Sequence, residues 1–223
     1  MTIAENKEAV FTAVSQACRE AGRPEGAVQV IAVTKYVEVA EVRELVQAGV
    51  RHIGENRVDK FLDKYQALKD ENLTWHLIGS LQRRKVKDVI DFVDYFHALD
   101  SVKLAQEIDK RASHVVSCFL QVNISGEESK HGFALDEIDQ VLAALAPLKQ
   151  IRLVGLMTMA PFEATDSELE AIFQKAQNLQ QRLQKKQIQN MPFTELSMGM
   201  SGDFPHAIAH GSTFVRIGTA FFK

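Results

Sequence analysis

The stretch TELSMGMSGDFPHAIAHGSTFVRIGTAFFK, residues 194–223, contains two short apolar segments that each end in glycine and small polar residues. A short helical segment, Pro205 to Ala209, lies between them and ends before Gly211. This order predicts two parallel strands whose carboxyl ends meet at one edge of a sheet. The strand ends carry Ser197, Gly199, Ser201 and Gly202 in the first segment, and Arg216, Gly218 and Thr219 in the second.

These two strand ends favour the binding of an anion such as phosphate. The first N–H groups of the helix that follows Asp203 lack partners within the helix and lie at its positive end. Glycine lets the main chain approach a ligand closely, while Ser201, Thr219 and Arg216 can add side-chain donors. Each residue alone is also explained by an ordinary turn or by a helix cap. Their convergence from two strand ends favours the anion site.

Strand-like segments alternate with helical patterns along the whole chain, and eight such segments are found. This alternation predicts parallel strands joined by right-handed crossovers. Eight units match a (β/α)8 TIM barrel, whose usual size is roughly 250 residues; an open, doubly wound sheet is the alternative fold. The predicted strands are residues 28–34, 50–54, 74–79, 93–98, 116–124, 151–158, 194–198 and 213–218.

An extra helix precedes the first predicted strand. Apolar residues recur at helical spacing over residues 3–21, and Gly22 and Pro24 then end the pattern. Since the sequence ends soon after the eighth strand, we expect this helix to cover the place of an eighth barrel helix. No linker-like change of composition interrupts residues 1–223, so we expect one domain.

Lys35 is the residue at which we expect chemistry. It follows the apolar run Val30–Thr34 directly, and active sites of such barrels lie at the carboxyl ends of the strands. Closure of the barrel brings the first strand beside the eighth, about 5 Å away. Partial burial and nearby cations such as Arg216 would favour the neutral amine, which attacks aldehydes. An aldehyde-reactive lysine beside a phosphate site suggests pyridoxal 5'-phosphate held as a Schiff base. The plain alternative is a lysine that points into water.

Composition and charge exclude several classes of protein. The net charge of −3 gives no general attraction to nucleic acid or to anionic lipid, so an affinity for phosphate must be local. Charged residues interrupt the first ten positions, and no apolar run is long enough to span a membrane. We therefore expect a cytoplasmic protein. Cys18 and Cys118 are isolated, which favours buried thiols over a disulfide or a metal site.

Seven segments, in the same order and across nearly the whole chain, resemble the pyridoxal phosphate homeostasis protein family. The most specific of them are LSMGMS and VRIG, in the last two strands. The segments are IAVTK at 31–35, HIGENRV at 52–58, WHLIGSLQ at 75–82, QVNISGEESKHGF at 121–133, GLMTM at 155–159, LSMGMSGD at 196–203 and GSTFVRIGTAFF at 211–222.

This resemblance implies a single barrel of PLP fold type III, similar to the N-terminal domain of alanine racemase, with pyridoxal 5'-phosphate on Lys35. Matched residue by residue, Arg216 would face the pyridine nitrogen and disfavour its protonation. His76 is also explained as a satisfied core histidine. The phosphate would be bound by Ser201, Gly202, Gly218 and Thr219, and further pocket residues would be Asn56, His76 and Ser197.

The chain departs from the family pattern at a few positions. Arg84 stands where the family often has asparagine, which leaves the detail of the third strand's loop in doubt. The basic run Arg83–Lys87 is either a solvated helix face or a patch for anionic ligands or a client protein. Lys130 and Lys223 stand where the family has extra lysines, and each is a candidate for holding the cofactor transiently.

Three functions fit these residues. The first is a monomeric protein that buffers or delivers pyridoxal 5'-phosphate, with PLP-dependent apo-enzymes as partners and no turnover of its own. The second is an amino-acid racemase, which needs an acid or base on each face of the substrate, the second one coming from an additional domain in the racemases that this barrel resembles. The third is a Schiff-base aldolase that acts on sugar phosphates.

Overall fold

The computed structural model describes residues 1–127 and 131–223. They form a closed barrel of eight parallel strands in sequence order, in which the last strand pairs with the first. The predicted (β/α)8 barrel is confirmed, and the doubly wound alternative is wrong. The strands are β1 Gln29–Val33, β2 His52–Glu55, β3 Thr74–Leu77, β4 Tyr95–Leu99, β5 Val116–Gln121, β6 Ile151–Met157, β7 Glu195–Met200 and β8 Phe214–Ile217.

A helix follows each of the first seven strands and packs on the outside of the barrel. Short 3₁₀ turns flank the fourth helix, and another follows β8; they are Arg83–Lys85, Ile90–Phe92 and Thr219–Phe221. The α-helices are α1 Ile3–Glu20, α2 Val39–Gln47, α3 Val58–Leu68, α4 Val86–Val89, α5 Val102–Arg111, α6 Ile138–Leu145, α7 Asp166–Gln184 and α8 Phe204–Ala209.

The first helix closes the outer ring where the sequence analysis expects it. Helix α1 contacts α2, α8 and the 3₁₀ turn after β8. The side-chain amide of Asn6, which is 2% exposed, donates hydrogen bonds to the carbonyl oxygens of Phe221 (3.1 Å) and Lys223 (2.8 Å). The start of the chain is thereby fastened to its end, beside the strands that carry the candidate phosphate-binding residues.

The interior of the barrel is filled by aromatic and imidazole rings. Successive side chains along each strand point alternately to the outside and to the inside of the barrel, and the inward side chains meet at the barrel axis. Phe214 lies among them, with its ring centroid between 5.4 and 6.3 Å from those of five other rings. TIM barrels more commonly fill this space with branched aliphatic residues. The five rings belong to His52, His76, Tyr95, His97 and Phe119.

The expectation about the two cysteines is confirmed. Cys18 and Cys118 are buried free thiols, and burial raises the pKa of Cys118 far above its usual value. Arg83, Arg84 and Lys87 are exposed, which fits both a solvated helix face and a patch for anionic ligands or a client protein. Of the helices in the described residues, none is both long enough and apolar enough to cross a membrane.

Gly155 shows how closely β6 and β7 approach each other. A Cβ atom at this position would lie 1.9 Å from the main-chain oxygen of Glu195, which cannot move without disturbing the sheet. We therefore expect Gly155→Ala to lower the free energy of unfolding by about 3 kcal/mol, measured by urea denaturation. Gly202→Ala is the matched control, because a Cβ there meets no atom within 4 Å. Equal unfolding midpoints for the two variants would contradict this packing.

Candidate functional site

Lys35 and the end of β8 line one cavity at the mouth of the barrel. The pairing of β1 with β8 sets Ile31 opposite Arg216, and this register carries Lys35 to the level of the turn after β8. The cavity has a volume of about 220 Å³. Its lining residues are Val33, Lys35, Tyr36, Val37, Gly218, Thr219, Phe222 and Lys223.

The expected partial burial of Lys35 is wrong. Strand β1 ends at Val33, two residues earlier, so Lys35 lies on the rim of the barrel and its side chain is exposed. The Nζ atom lies 4.8 Å from the centroid of the Tyr36 ring, which is itself 81% exposed. Lys35 therefore faces an open cavity, accessible to a ligand from solvent.

A buried polar cluster that the sequence analysis missed fixes the main chain directly before Lys35. Thr34 Oγ1 donates a hydrogen bond to Glu55 Oε1 (2.6 Å), and Lys64 of α3 donates both to that oxygen and to the Thr34 carbonyl. Thr34, Glu55 and Lys64 are at most 1% exposed, and Glu55 Oε2 has no hydrogen-bond partner. The position of Lys64 between Phe61 and Leu68 on the buried face of α3 was the available signal. This cluster fixes the residue directly before Lys35.

The candidate phosphate-binding residues lie in two turns, after β7 and after β8. Ser201 and Gly202 are exposed between β7 and α8, and Asp203 holds their turn by accepting a hydrogen bond from the Met200 N–H (2.5 Å). Gly218 precedes the 3₁₀ turn that begins at Thr219, which is also exposed. Turns after the seventh and eighth strands, together with a short helix, are a common phosphate site in TIM barrels.

Gly199 lets α8 approach the end of β7. Its φ of +94° favours glycine, and a Cβ there would lie 2.7 Å from the Cβ of Ala207. A larger residue would push α8, and with it the turn of Ser201 and Gly202, away from the barrel.

Arg216 is buried at the inner side of this site. It is 6% exposed, and it donates hydrogen bonds to Ser197 Oγ (2.6 Å) and to the carbonyl oxygen of Thr158 (3.0 Å). Burial lowers the pKa of Arg216 to about 10, against the opposing effect of the negative charge on Asp203. The guanidinium thus keeps its charge at neutral pH and still has donors beyond the two that these bonds use.

His76 occupies the barrel interior instead of the cavity that Lys35 lines. Its Nε2 lies 2.9 Å from His52 Nδ1, and its Nδ1 lies 2.9 Å from His97 Nε2. His97 Nδ1 in turn lies 2.8 Å from Ser197 Oγ. The structure thus places His76 as a satisfied core histidine that is connected through His97 and Ser197 to Arg216.

The remaining candidates occupy different surroundings. Asn56 is half-buried directly after β2. Its main chain packs tightly on Gly79, since a Cβ atom added to Gly79 would lie 2.2 Å from the main-chain oxygen of Asn56. Lys223 lines the same cavity as Lys35. Lys130 lies outside the described residues, so the structure places neither its side chain nor its main chain.

The chain matches the family model described as the alanine racemase N-terminal domain over residues 9–223. It is 38% identical over 225 residues to the pyridoxal phosphate homeostasis protein of Aquifex aeolicus, and this match covers 100% of the chain and 98% of the Aquifex protein. The chain belongs to the pyridoxal phosphate homeostasis protein family. The resemblance seen in the sequence is therefore confirmed.

Solved structures agree with this family and with the fold. The chain is similar to PipY of Synechococcus elongatus with PLP bound, with a TM-score of 0.87, 35% identity and 100% of each chain covered. Alanine racemase of Corynebacterium glutamicum is more distant, with a TM-score of 0.74 and 15% identity over 99% of this chain and 60% of that one. The second likeness shows a shared barrel fold alone.

The buried histidines make stability depend on pH. Burial, followed by the charge of neighbouring groups, holds the pKa values of His76 and His97 well below the usual 6.5, so both are neutral in the folded protein. In the unfolded chain they take up protons near pH 6.5, and the stability present above that pH is lost as pH falls. Each contributes about 1.4 kcal/mol per pH unit to this loss.

We therefore expect His76→Phe to reduce the slope of unfolding free energy against pH, measured by urea denaturation between pH 5 and 6, by about 1.4 kcal/mol per pH unit. Tyr95→Phe is the control variant, because its ring stacks on His76 and a phenol does not titrate between pH 5 and 6, so the slope of the unchanged protein should be kept. A slope that His76→Phe leaves unaltered would show that His76 is already protonated in the fold.

Proposed function

We propose that this chain binds pyridoxal 5'-phosphate as a Schiff base on Lys35 and buffers or delivers the cofactor. The observation that carries the proposal is the shared cavity of Lys35, Gly218 and Thr219, next to the strand end that bears Arg216. The names of full-length relatives and the PLP bound to PipY support the same ligand.

The residues present fit the parts of this cofactor. The exposed Lys35 amine can reach an incoming aldehyde, and its addition with loss of one water molecule would form the C=N bond. Ser201, Gly202, Gly218 and Thr219 would offer hydroxyl and main-chain donors to the phosphate. Asn56, half-buried at the end of β2, would contact the ligand from the strand next to β1, on the side of Lys35 away from β8.

Arg216 would decide which chemistry the site favours. When bound, pyridoxal phosphate supplies an electron sink whose strength depends on protonation of its ring nitrogen. A charged guanidinium beside that nitrogen opposes a second positive charge and donates a hydrogen bond to the neutral nitrogen instead. A weak electron sink suits storage of the cofactor better than carbanion chemistry, which supports a protein without turnover of its own.

A racemase has less support from the site. Two-base inversion needs acid or base groups on opposite faces of the substrate. Tyr36 lines the cavity, but its ring lies in contact with the Lys35 amine, so these two groups approach a ligand from the same side. Incubation with D- and L-amino acids in heavy water tests this alternative, since coupled α-proton exchange and racemization would favour the enzyme.

The proposal also covers partners and location. We expect a monomer in the cytoplasm that passes its cofactor to PLP-dependent apo-enzymes. The net charge of −3 gives no reason to expect nucleic acid or a membrane surface as a partner. Sedimentation velocity of the purified protein tests the monomer.

Replacement of Lys35 tests the covalent link. Lys35→Ala should abolish the absorbance of the lysine-bound cofactor in the visible to near-ultraviolet region, because the variant lacks the amine that would form the C=N bond. Lys223→Ala is the matched control, since it removes a second lysine that lines the same cavity, and its spectrum should be retained. An unchanged spectrum in Lys35→Ala would overturn the assignment.

The phosphate turns are tested by comparing two ligands. Ser201→Ala and Thr219→Ala should each weaken binding of pyridoxal 5'-phosphate about tenfold, the effect of losing one hydrogen bond to a charged group. Binding of pyridoxal, which has no phosphate, should change little in titrations followed by absorbance. Equal losses for both ligands would indicate that these hydroxyls do not contact the phosphate.

A further inference from the structure

An unbroken hydrogen-bonded chain of side chains crosses the barrel interior from β2 to β8. Its links are His52 Nδ1 to His76 Nε2 (2.9 Å), His76 Nδ1 to His97 Nε2 (2.9 Å), His97 Nδ1 to Ser197 Oγ (2.8 Å) and Ser197 Oγ to Arg216 Nη1 (2.6 Å). The three middle residues are 0% exposed. Each imidazole uses both ring nitrogens, except at His52, where the chain ends.

The chemistry of arginine sets the direction of every bond in this chain. A guanidinium only donates, so Ser197 Oγ accepts from Arg216 and turns its single hydrogen towards His97 Nδ1. His97 then carries its proton on Nε2 and donates to His76 Nδ1. The same step repeats at His76, whose Nε2–H donates to His52 Nδ1. One neutral tautomer, protonated on Nε2, follows for both buried rings.

The opposite direction leaves a buried donor without an acceptor. If His97 donated from Nδ1, Ser197 Oγ would accept two hydrogen bonds and its own hydrogen would face neither partner. Such an orphaned buried hydroxyl donor is costly, whereas the first direction satisfies every link. A doubly protonated His76 would direct its Nδ1–H at the Nε2–H of His97. A doubly protonated His97 would direct its Nδ1–H at the Ser197 hydroxyl and would again leave the hydroxyl hydrogen without an acceptor.

The hydrogen-bonded chain stabilises Arg216, which is a buried cation bound by neutral oxygens. Among the described residues no carboxylate lies within ion-pair distance of it, and it donates hydrogen bonds to Ser197 Oγ and to the Thr158 carbonyl oxygen. Successive hydrogen bonds that point the same way polarise one another. The histidines therefore increase the negative charge on the Ser197 oxygen that faces the guanidinium.

We propose that His52, His76 and His97 are positioning residues, whose aligned neutral imidazoles orient the Ser197 hydroxyl so that it holds Arg216 as a charged donor. The part that concerns the cofactor rests on the proposed function, in which Arg216 faces the ring nitrogen of pyridoxal 5'-phosphate. His52, half-buried at the start of β2, also lines a second cavity of about 510 Å³ at the other end of the barrel. The chain thus connects that end of the barrel to the ligand site.

Nuclear magnetic resonance of the protein labelled with ¹⁵N-histidine tests the direction of the chain without any cofactor. Two-bond ¹H–¹⁵N spectra at pH 7 should show His76 and His97 as pure Nε2–H tautomers, with signals assigned by their loss in His76→Phe and His97→Phe. An Nδ1–H tautomer, a tautomer mixture or an imidazolium at either residue in the unchanged protein would overturn the inference. The tautomers are read from the unchanged protein, and nuclear Overhauser contacts of His76 with Tyr95 and of His97 with Phe119 assign the two signals if a variant fails to fold.

The positioning role is tested separately with the cofactor. His76→Phe keeps a ring of similar size and breaks the chain, so His97 should become a tautomer mixture and the dissociation constant of pyridoxal 5'-phosphate should rise about tenfold. Tyr95→Phe is the matched control: its ring stacks on His76 at 5.0 Å but takes no part in the chain, and affinity should stay within about twofold.

Unchanged affinity in a folded His76→Phe protein would overturn the positioning role. Failure of the unchanged protein to bind pyridoxal 5'-phosphate would instead overturn the proposed function, and with it the part of the inference that concerns the cofactor. The tautomer spectra would still decide the direction of the hydrogen bonds that lead from Arg216 to His52.

Discussion

The hydrogen-bonded pairing of β1 with β8 is the constraint on which the site depends. It joins the two ends of the sheet, and its register sets Ile31 against Arg216 and Ala32 against Ile217. Since the strands are parallel, their carboxyl ends meet, and Lys35 comes to the cavity that Gly218 and Thr219 also line. The N-terminal helix supports this seam from outside, where Asn6 binds the last carbonyl groups of the chain. A lysine at one end of the sheet and a candidate phosphate site at the other therefore become neighbours only when the barrel closes.

Polar groups are buried on both sides of the barrel wall beneath this site, and each set has a defined role. Outside the wall, Glu55 and Lys64 form a buried ion pair that also binds Thr34, the residue before Lys35. Inside, imidazoles and a serine lead to Arg216. Buried polar groups destabilise a fold unless they are paired, so both sets constrain the conformation of the strands that bear them. The exposed Lys35 and the exposed turns can then meet a ligand from solvent while the residues beneath them stay fixed.

Sequence patterns predicted the barrel well because its elements are local. Apolar runs, glycine stops and strand-end polar residues indicated all eight strands. The N-terminal helix occupies the place in the outer ring where a helix after β8 would lie, as expected. The exposure of Lys35 was predicted wrongly, because its burial depends on how far β1 extends before the rim. The histidine chain was beyond prediction, since its contacts depend on register between strands and across the axis of the barrel. Lys64 left a readable signal, a charged residue on the buried face of an amphipathic helix, that needed a buried acid as its partner.

Reduction of the protein with borohydride in the presence of pyridoxal 5'-phosphate, followed by peptide mass mapping, tests the central claim most directly. Borohydride adds hydride to the carbon of the C=N bond and the nitrogen takes up a proton from water. The product is a stable C–N single bond, which marks the lysine that formed it. The account predicts the mass of a phosphopyridoxyl group on the peptide that contains Lys35. The same mass on a different lysine alone, a sugar phosphate adduct from the isolated protein, or no adduct at all would contradict it.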